Sequence, residues 1–207
     1  ECTMNTKKIQ IIALVAFLAI GGGVLYYGLS GNADSAQTVN RNAEPQPVSI
    51  LKYSDYQCPA CKLYVPLQKQ LKAEYGDLVQ IEYRHFPLSG HQFAELAARS
   101  VEAARNQGKY EEMHDLIFQY QEVWSQGDAR DHFMDFANQL ELDMEQFEAD
   151  LQSQEIIDLI ERQRQEGFRR QVNATPTFFI NGQKLRQNPQ SYEQFKSVVE
   201  LYMYRAS

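Results

Sequence analysis

Two cysteines, Cys58 and Cys61, stand two residues apart where a strand-forming run gives way to a helix-forming one. The run before them, Val48-Ser49-Ile50-Leu51-Lys52-Tyr53, is short, apolar and rich in strand formers. After them a helix is predicted from Pro59 to about Tyr75. Pro59 suits its first turn, where a missing N–H costs nothing, and Pro66 falls inside it and should kink it. This placement decides the chemistry. A helix N-terminus carries unpaired N–H groups and a partial positive charge, and both stabilise a thiolate. The pKa of Cys58 is therefore expected to fall below that of a free thiol, which makes Cys58 the nucleophile. Cys61, one turn on, faces a buried environment and resolves the mixed disulfide that forms at Cys58.

Other uses of a Cys-x-x-Cys fit less well. A structural zinc site needs about four ligands. The sequence has no second such pair, and His85, His91, His114 and His132 show no metal-type spacing. A static disulfide closing so short a loop would constrain little of the unfolded chain. With three cysteines in 207 residues the chain is not a disulfide-stapled scaffold. No metal and no organic cofactor are expected. The net charge of -7 gives no reason to expect nucleic acid as a partner.

The order of elements predicts an α/β fold. A second strand is expected at Leu78 to Phe86, stopped by Pro87. Phe93, Leu96, Ala97, Ser100, Val101 and Ala104 keep helical spacing. Further helices are predicted at Tyr110 to Tyr120, Asp131 to Leu140, Met144 to Leu151 and Glu155 to Gln171. Thr177 to Ile180 is strand-like, and Asn181-Gly182 is a hairpin turn leading to Lys184-Leu185-Arg186. A final helix carries Tyr192, Phe195, Val198, Val199 and Tyr202 on one face. The first strand–helix–strand unit implies a parallel pair with a right-handed crossover. The helical block is too long for a loop and reads as an inserted subdomain, 89–171, between two parts of one domain, 48–88 and 172–207.

The N-terminus adds a location. Lys7 and Lys8 precede an apolar run from Ile9 to Ile20, which crosses three glycines and resumes at Val24 to Tyr27. About 20 apolar residues span a bilayer as a helix, and basic residues before the run keep that end in the cytoplasm. Residues 1–29 are read as a cytoplasmic tail and transmembrane anchor. A cleaved signal peptide ending near Ala33-Asp34-Ser35 is the competing reading, and both export the rest of the chain. Met4-Asn5-Thr6-Lys7-Lys8 looks like a native start, with Glu1, Cys2 and Thr3 an upstream extension; Cys2 gets no catalytic role. Residues 30–47 are rich in Asn, Ala, Ser, Gln and Pro and read as a linker.

A second motif, Ala174-Thr175-Pro176-Thr177-Phe178-Phe179-Ile180-Asn181-Gly182, could by itself mark a strand end. Together with Asp55-Tyr56-Gln57-Cys58-Pro59-Ala60-Cys61 and the helical block between, it resembles the thioredoxin superfamily and, within it, the DsbA-like exported oxidoreductases. The resemblance covers nearly everything after the linker. It implies a thioredoxin domain with an inserted helical domain. It also implies a cis Pro176 beside the cysteine pair, with the backbone of Thr175 pairing with an extended client peptide. The expected role is to introduce disulfides into reduced client proteins on the periplasmic side of a bacterial envelope. A quinone-linked membrane partner of the DsbB type would then reoxidise the pair. The same pair run backwards gives a reductase or isomerase, and an inert pair gives an envelope chaperone.

Two positions depart from the family. Many members carry an acidic residue six positions before the first cysteine; here it is Lys52. The simpler expectation is that Lys52 snorkels its ammonium to solvent. The sharper one is that a cation near the pair stabilises the thiolate form and slows resolution by Cys61. The strongest oxidants carry a histidine before the second cysteine, and Ala60 removes that positive polarisation. Among other candidates, His85 is expected to be a hydrogen-bonded structural residue and Trp124 to pack on the helical block. Arg162, Arg164, Arg169 and Arg170 are expected to form an ion-paired face with the interleaved glutamates. Asp55 is expected to orient the loop before Cys58. The glycosylation pattern at Asn173 abuts Pro176 and is read as chance.

Overall fold

The computed structural model of the chain describes residues 43–204. Strand β1 (Val48–Ser54) leads into helix α1 (Pro59–Tyr75) and, through a 3-10 turn at Gly76–Leu78, into β2 (Val79–His85). A block of helices follows: α2 (Ala94–Asn106), α3 (Tyr110–Gln119), α4 (Gln121–Trp124), α5 (Ala129–Gln139), α6 (Met144–Asp150) and α7 (Gln154–Arg169). Strands β3 (Thr177–Ile180) and β4 (Gln183–Lys184) and helix α8 (Tyr192–Met203) complete the order. The α/β class predicted above is what the chain adopts.

The mixed sheet runs β2-β1-β3-β4. β1 pairs parallel with β2 from Val48↔Val79 to Ser54↔His85 and antiparallel with β3 from Ile50↔Ile180 to Tyr53↔Thr177. Asn181 and Gly182 turn the hairpin with φ 46° and 79°, a pair of positive angles that Asn and Gly tolerate best. That tight turn sets Gln183 directly opposite Ile180, so β4 covers Gln183 and Lys184 rather than Lys184 to Arg186. β2 is likewise shorter than expected, because Leu78 is consumed by the 3-10 turn that follows α1. Gly76 ends α1 at φ 56°, where a side chain would strain the backbone. Pro66 lies within α1 on its exposed side.

The apolar residues gather in separate clusters. Val48, Ile50, Leu71, Phe178, Phe195 and Val199 fill the space between the sheet, α1 and α8. A second cluster joins the helical block to the cysteine loop. Met113, Ile117, Trp124 and Phe133 are fully buried there, each contributing about 1.5–3 kcal/mol relative to exposure, and Cys58 and Cys61 belong to the same cluster. On the other face of the sheet Tyr53, Phe86, Val172 and Phe179 pack together, and a Cβ on Gly167 of α7 would meet the Phe86 ring at 2.6 Å. Only glycine lets α7 lie this close to the end of β2.

Among the described residues no helix is long and apolar enough to cross a membrane. The anchor or signal segment read at 1–29, and the linker up to residue 42, lie outside the described residues. The end of that linker, 43–47, is irregular, and Gln46 N donates to Met203 O at 2.9 Å.

Candidate active site

Cys58 occupies the N-cap of α1 with extended backbone (φ -78°, ψ 116°). Its carbonyl already accepts the first helical bond, from Cys61 N at 3.0 Å. The parallel β1–β2 pair and the antiparallel β3 bring the Thr175 loop against this end of the helix. The Thr175–Pro176 peptide is cis, and Cys58 Sγ lies 3.4 Å from Thr175 O. The two sequence motifs, more than a hundred residues apart, therefore form one site.

The two sulfurs are pushed in opposite directions. A hydrogen bond from the Cys61 side chain is the largest influence on Cys58. Burial opposes it, and the Thr175 hydroxyl and the amides of Cys61 and Ala60 add to it; the balance brings the thiol down to about 5. The Thr175 hydroxyl is buried and has no partner in the dithiol, so it is free to donate to a thiolate. Cys61 is fully buried, and burial followed by the neighbouring Cys58 pushes it well above the ordinary thiol range. At neutral pH the pair thus holds one thiolate at a helix N-terminus and one thiol beneath it. Pro59 and Ala60 between them are exposed, so neither side chain shields the pair.

Lys52 does not snorkel. Its side chain has no exposure, and Nζ donates to Cys61 O at 3.2 Å and to Gln68 Oε1 at 3.1 Å. The cause is strand alternation. Val48, Ile50 and Lys52 share the face of β1 covered by α1, and the stem is too deep to reach water. Burial lowers its pKa to about 8, with Cys61 and Cys58 resisting the fall.

The loop before the pair is held by Asp55 and by a glutamine that carries no sequence signature. Buried Asp55 orients it as expected: Oδ1 accepts from Gln57 N at 2.7 Å, and Oδ2 accepts from Leu88 N at 2.8 Å and faces His91 Nδ1 at 2.7 Å. Its own N–H points to Cys61 Sγ at 3.5 Å. Gln121 of α4 was not foreseen; its Nε2 donates to Tyr56 O at 2.6 Å and to Cys58 O at 3.0 Å. Gln68 was missed too, because one glutamine inside a helix gives no signal of what it faces.

The remaining candidates take structural positions. His85 is buried with Nε2 at 2.7 Å from Glu102, and Trp124 donates to Ile117 O at 2.7 Å inside the helical core. Arg164 and Arg170, two of the four arginines expected on an ion-paired face, pair with Glu161 and Glu166. Arg170 also stacks 3.8 Å over the Phe179 ring. Among the described residues no three His, Cys, Asp or Glu side chains converge as a metal site. Beside the pair, an apolar groove between α1 and the α3–α4 turn is lined by Leu63, Val65, Pro66 and Phe118, with Leu63 68% exposed.

A thioredoxin family model matches residues 40–201, nearly the whole of the described chain. The chain belongs to the thioredoxin family. Among solved structures, a thioredoxin-like oxidoreductase from Silicibacter pomeroyi superposes with a TM-score of 0.63 at 27% identity. That match covers 82% of this chain and 96% of the other. The alpha-DsbA1 of Wolbachia pipientis (TM-score 0.67, 19% identity, 79% and 92% covered) shares the fold. So does BdbD of Bacillus subtilis (0.66, 18%, 78% and 94%). These structures show the thioredoxin fold predicted from the motifs, and the first of them is a thioredoxin-like oxidoreductase. It is also 34% identical over 146 residues to a Na(+)/H(+) antiporter NhaA of Herminiimonas arsenicoxydans, a match covering 70% of this chain. The chain spans only 22% of the length of that relative.

Proposed function

We propose that this thioredoxin-family oxidoreductase introduces disulfides into client proteins through Cys58 and Cys61. In the oxidised enzyme a client thiolate attacks Cys58 Sγ, the Cys58–Cys61 bond breaks, and Cys61 leaves and is protonated. A second client thiolate then attacks the client sulfur of the mixed disulfide. The client departs with a new S–S bond, and Cys58 leaves as a thiolate. Two electrons pass from the client to the enzyme. The opposed displacement of the two thiols carries this reading. A leaving group held as a thiolate near pH 5 stabilises the reduced enzyme, and a stabilised reduced form makes the disulfide a stronger oxidant. Thr175 and cis Pro176 would align the client strand beside Cys58. Exposed Pro59 and Ala60 would leave the approach open.

The proposal places this domain on the periplasmic side of a bacterial envelope, tethered by residues 1–29. A quinone-linked DsbB-type membrane protein would reoxidise it. Equilibration of the purified chain with glutathione tests the direction. A potential well above that of thioredoxin, about -270 mV, is expected. A value as low as thioredoxin's would reverse the mechanism to reduction or isomerisation. Cys58→Ser is expected to abolish oxidation of a reduced client; retained function would leave the pair inert and make the chain an envelope chaperone.

A further inference from the structure

Lys52 takes no part in the thiol exchange described above, yet its Nζ donates to the carbonyl of Cys61, and both cysteines act on its charge. It lies in the middle of β1, opposite Tyr83 on one side and Phe178 on the other. Its Nζ has only neutral hydrogen-bond acceptors, Cys61 O and Gln68 Oε1, and stands 5.7 Å and 5.4 Å from the ring centroids of Tyr83 and Phe118. Among the described residues no carboxylate lies within ion-pair distance of it. An ammonium buried without a counter-charge is strongly disfavoured. The nearby anion this site can supply is a cysteine thiolate, and it exists only in the reduced state.

We propose that Lys52 is a redox-linked proton carrier, taking up a proton when the Cys58–Cys61 disulfide is reduced and releasing it when the disulfide re-forms. The inference rests on the proposed role of this pair. The balance closes without outside groups. A client dithiol gives up two electrons and two protons; its S–S bond forms as the Cys58–Cys61 bond breaks. One proton ends on Cys61 Sγ and one on Lys52 Nζ, and Cys58 is left as a thiolate. The buried site carries no net charge before the exchange and none after it.

The groups facing Lys52 from every side leave this assignment standing. From α1 come Cys58, Cys61 and neutral Gln68. From β2 comes Tyr83, whose phenol burial pushes far up, so it stays neutral. From α3 comes His114, which burial, with Lys52 contributing, pushes below its ordinary range. Asp115 next to it is engaged by His114 and Lys69. In the dithiol the two sulfurs support the Lys52 charge up to about pH 8. In the disulfide that support is gone and burial remains, so the amine loses its proton at a lower pH. The coupling operates between those two values.

The test equilibrates the full chain with reduced and oxidised glutathione and quantifies free thiols by alkylation, from roughly pH 6 to pH 8, where glutathione keeps its thiol proton. Without coupling, forming a Cys58 thiolate releases one proton, and the constant favouring the reduced enzyme rises about tenfold per pH unit. With Lys52 holding that proton the constant is flat. The expected result in the wild type is a plateau that ends at about pH 8 and reaches down to the pKa of Lys52 in the disulfide form; Lys52→Met shows an uninterrupted tenfold rise per unit. A tenfold rise per unit in both proteins overturns the role of Lys52. Should Lys52→Met not fold, a wild-type plateau still supports the proposal and its absence overturns it. An NMR titration of Lys52 Nζ decides independently: a lower pKa in the disulfide form is expected, and equal values in the two forms overturn the idea. Failure to form a disulfide at any glutathione ratio is a different outcome, which overturns the redox role of the pair and this inference with it.

Discussion

Lys52 in β1 and Glu102 in α2 are both removed from water, yet their surroundings treat their charges in opposite ways. Glu102, 3% exposed, faces His85 Nε2 at 2.7 Å and accepts from Arg105 Nε at 2.7 Å and Nη2 at 3.2 Å. Burial alone would raise its carboxyl, but His85 and Arg105 outweigh it and hold it below the usual carboxylate range. Lys52 has only a carbonyl and an amide oxygen, and burial wins. A buried charge met by opposite charge becomes a fixed joint, here between the end of β2 and α2. A buried charge met by dipoles alone stays responsive to whatever anion comes and goes nearby.

The contrast is broken most directly at Glu102. Glu102→Leu leaves His85 buried without its partner and is expected to cost about 3 kcal/mol in chemical denaturation. A loss below about 1 kcal/mol would mean that the joint bears nothing. Because the folded carboxyl is depressed, its contribution is complete above the unfolded value of about 4.3. It fades as pH falls through the lower folded value, so the gap between wild type and variant should narrow in acid.

Lys52→Met should move stability the other way. Lowering the folded pKa from 10.5 to about 8 costs the reduced protein about 3 kcal/mol at neutral pH, and the variant should recover it. The cost is complete below about pH 8, where the lysine is charged in both states, and disappears as pH rises to 10.5. The stability advantage of the variant over wild type should therefore shrink across that interval. An unchanged midpoint at neutral pH would mean that the burial of Lys52 costs nothing, and a fall would place it in the same class as Glu102.

The smallest effect sharpens the thiolate side of the comparison. Thr175→Val removes the buried hydroxyl beside Cys58 and keeps its shape, so the Cys58 pKa should rise by on the order of one unit. Thiolate absorbance in the ultraviolet measures it, and an unchanged titration would assign the depression to Cys61 and the helix amides alone.

Much of this architecture could be read from the chain. Strand β3 and the Asn181-Gly182 turn were legible because their residues obey local rules. The Cys58 position was legible because Pro59 fixes where α1 begins. Helix α4 was not; four residues are too few to show a period. The fate of Lys52 was present in the alternation Val48, Ile50, Lys52, which sets it on the buried face. Snorkelling was expected because a long stem usually finds water, and only the covering helix α1 rules that out. Gln121 and Gln68 act across distances of more than fifteen residues, and neither type carries a spacing that would announce it.

The Gln121 amide gives the active-site loop a timing it would not otherwise have. Both of its hydrogens are committed to carbonyls of the loop, and its own helix is pinned by Trp124. The turn that presents Cys58 therefore cannot loosen until α4 lets go. Fraying of the helical block reaches the loop as directly as any loosening at the end of β1, next to Asp55. Amide exchange in the loop should follow the exchange of α4, so a loss of those helices would disarm the thiol even with β1 and β2 still paired.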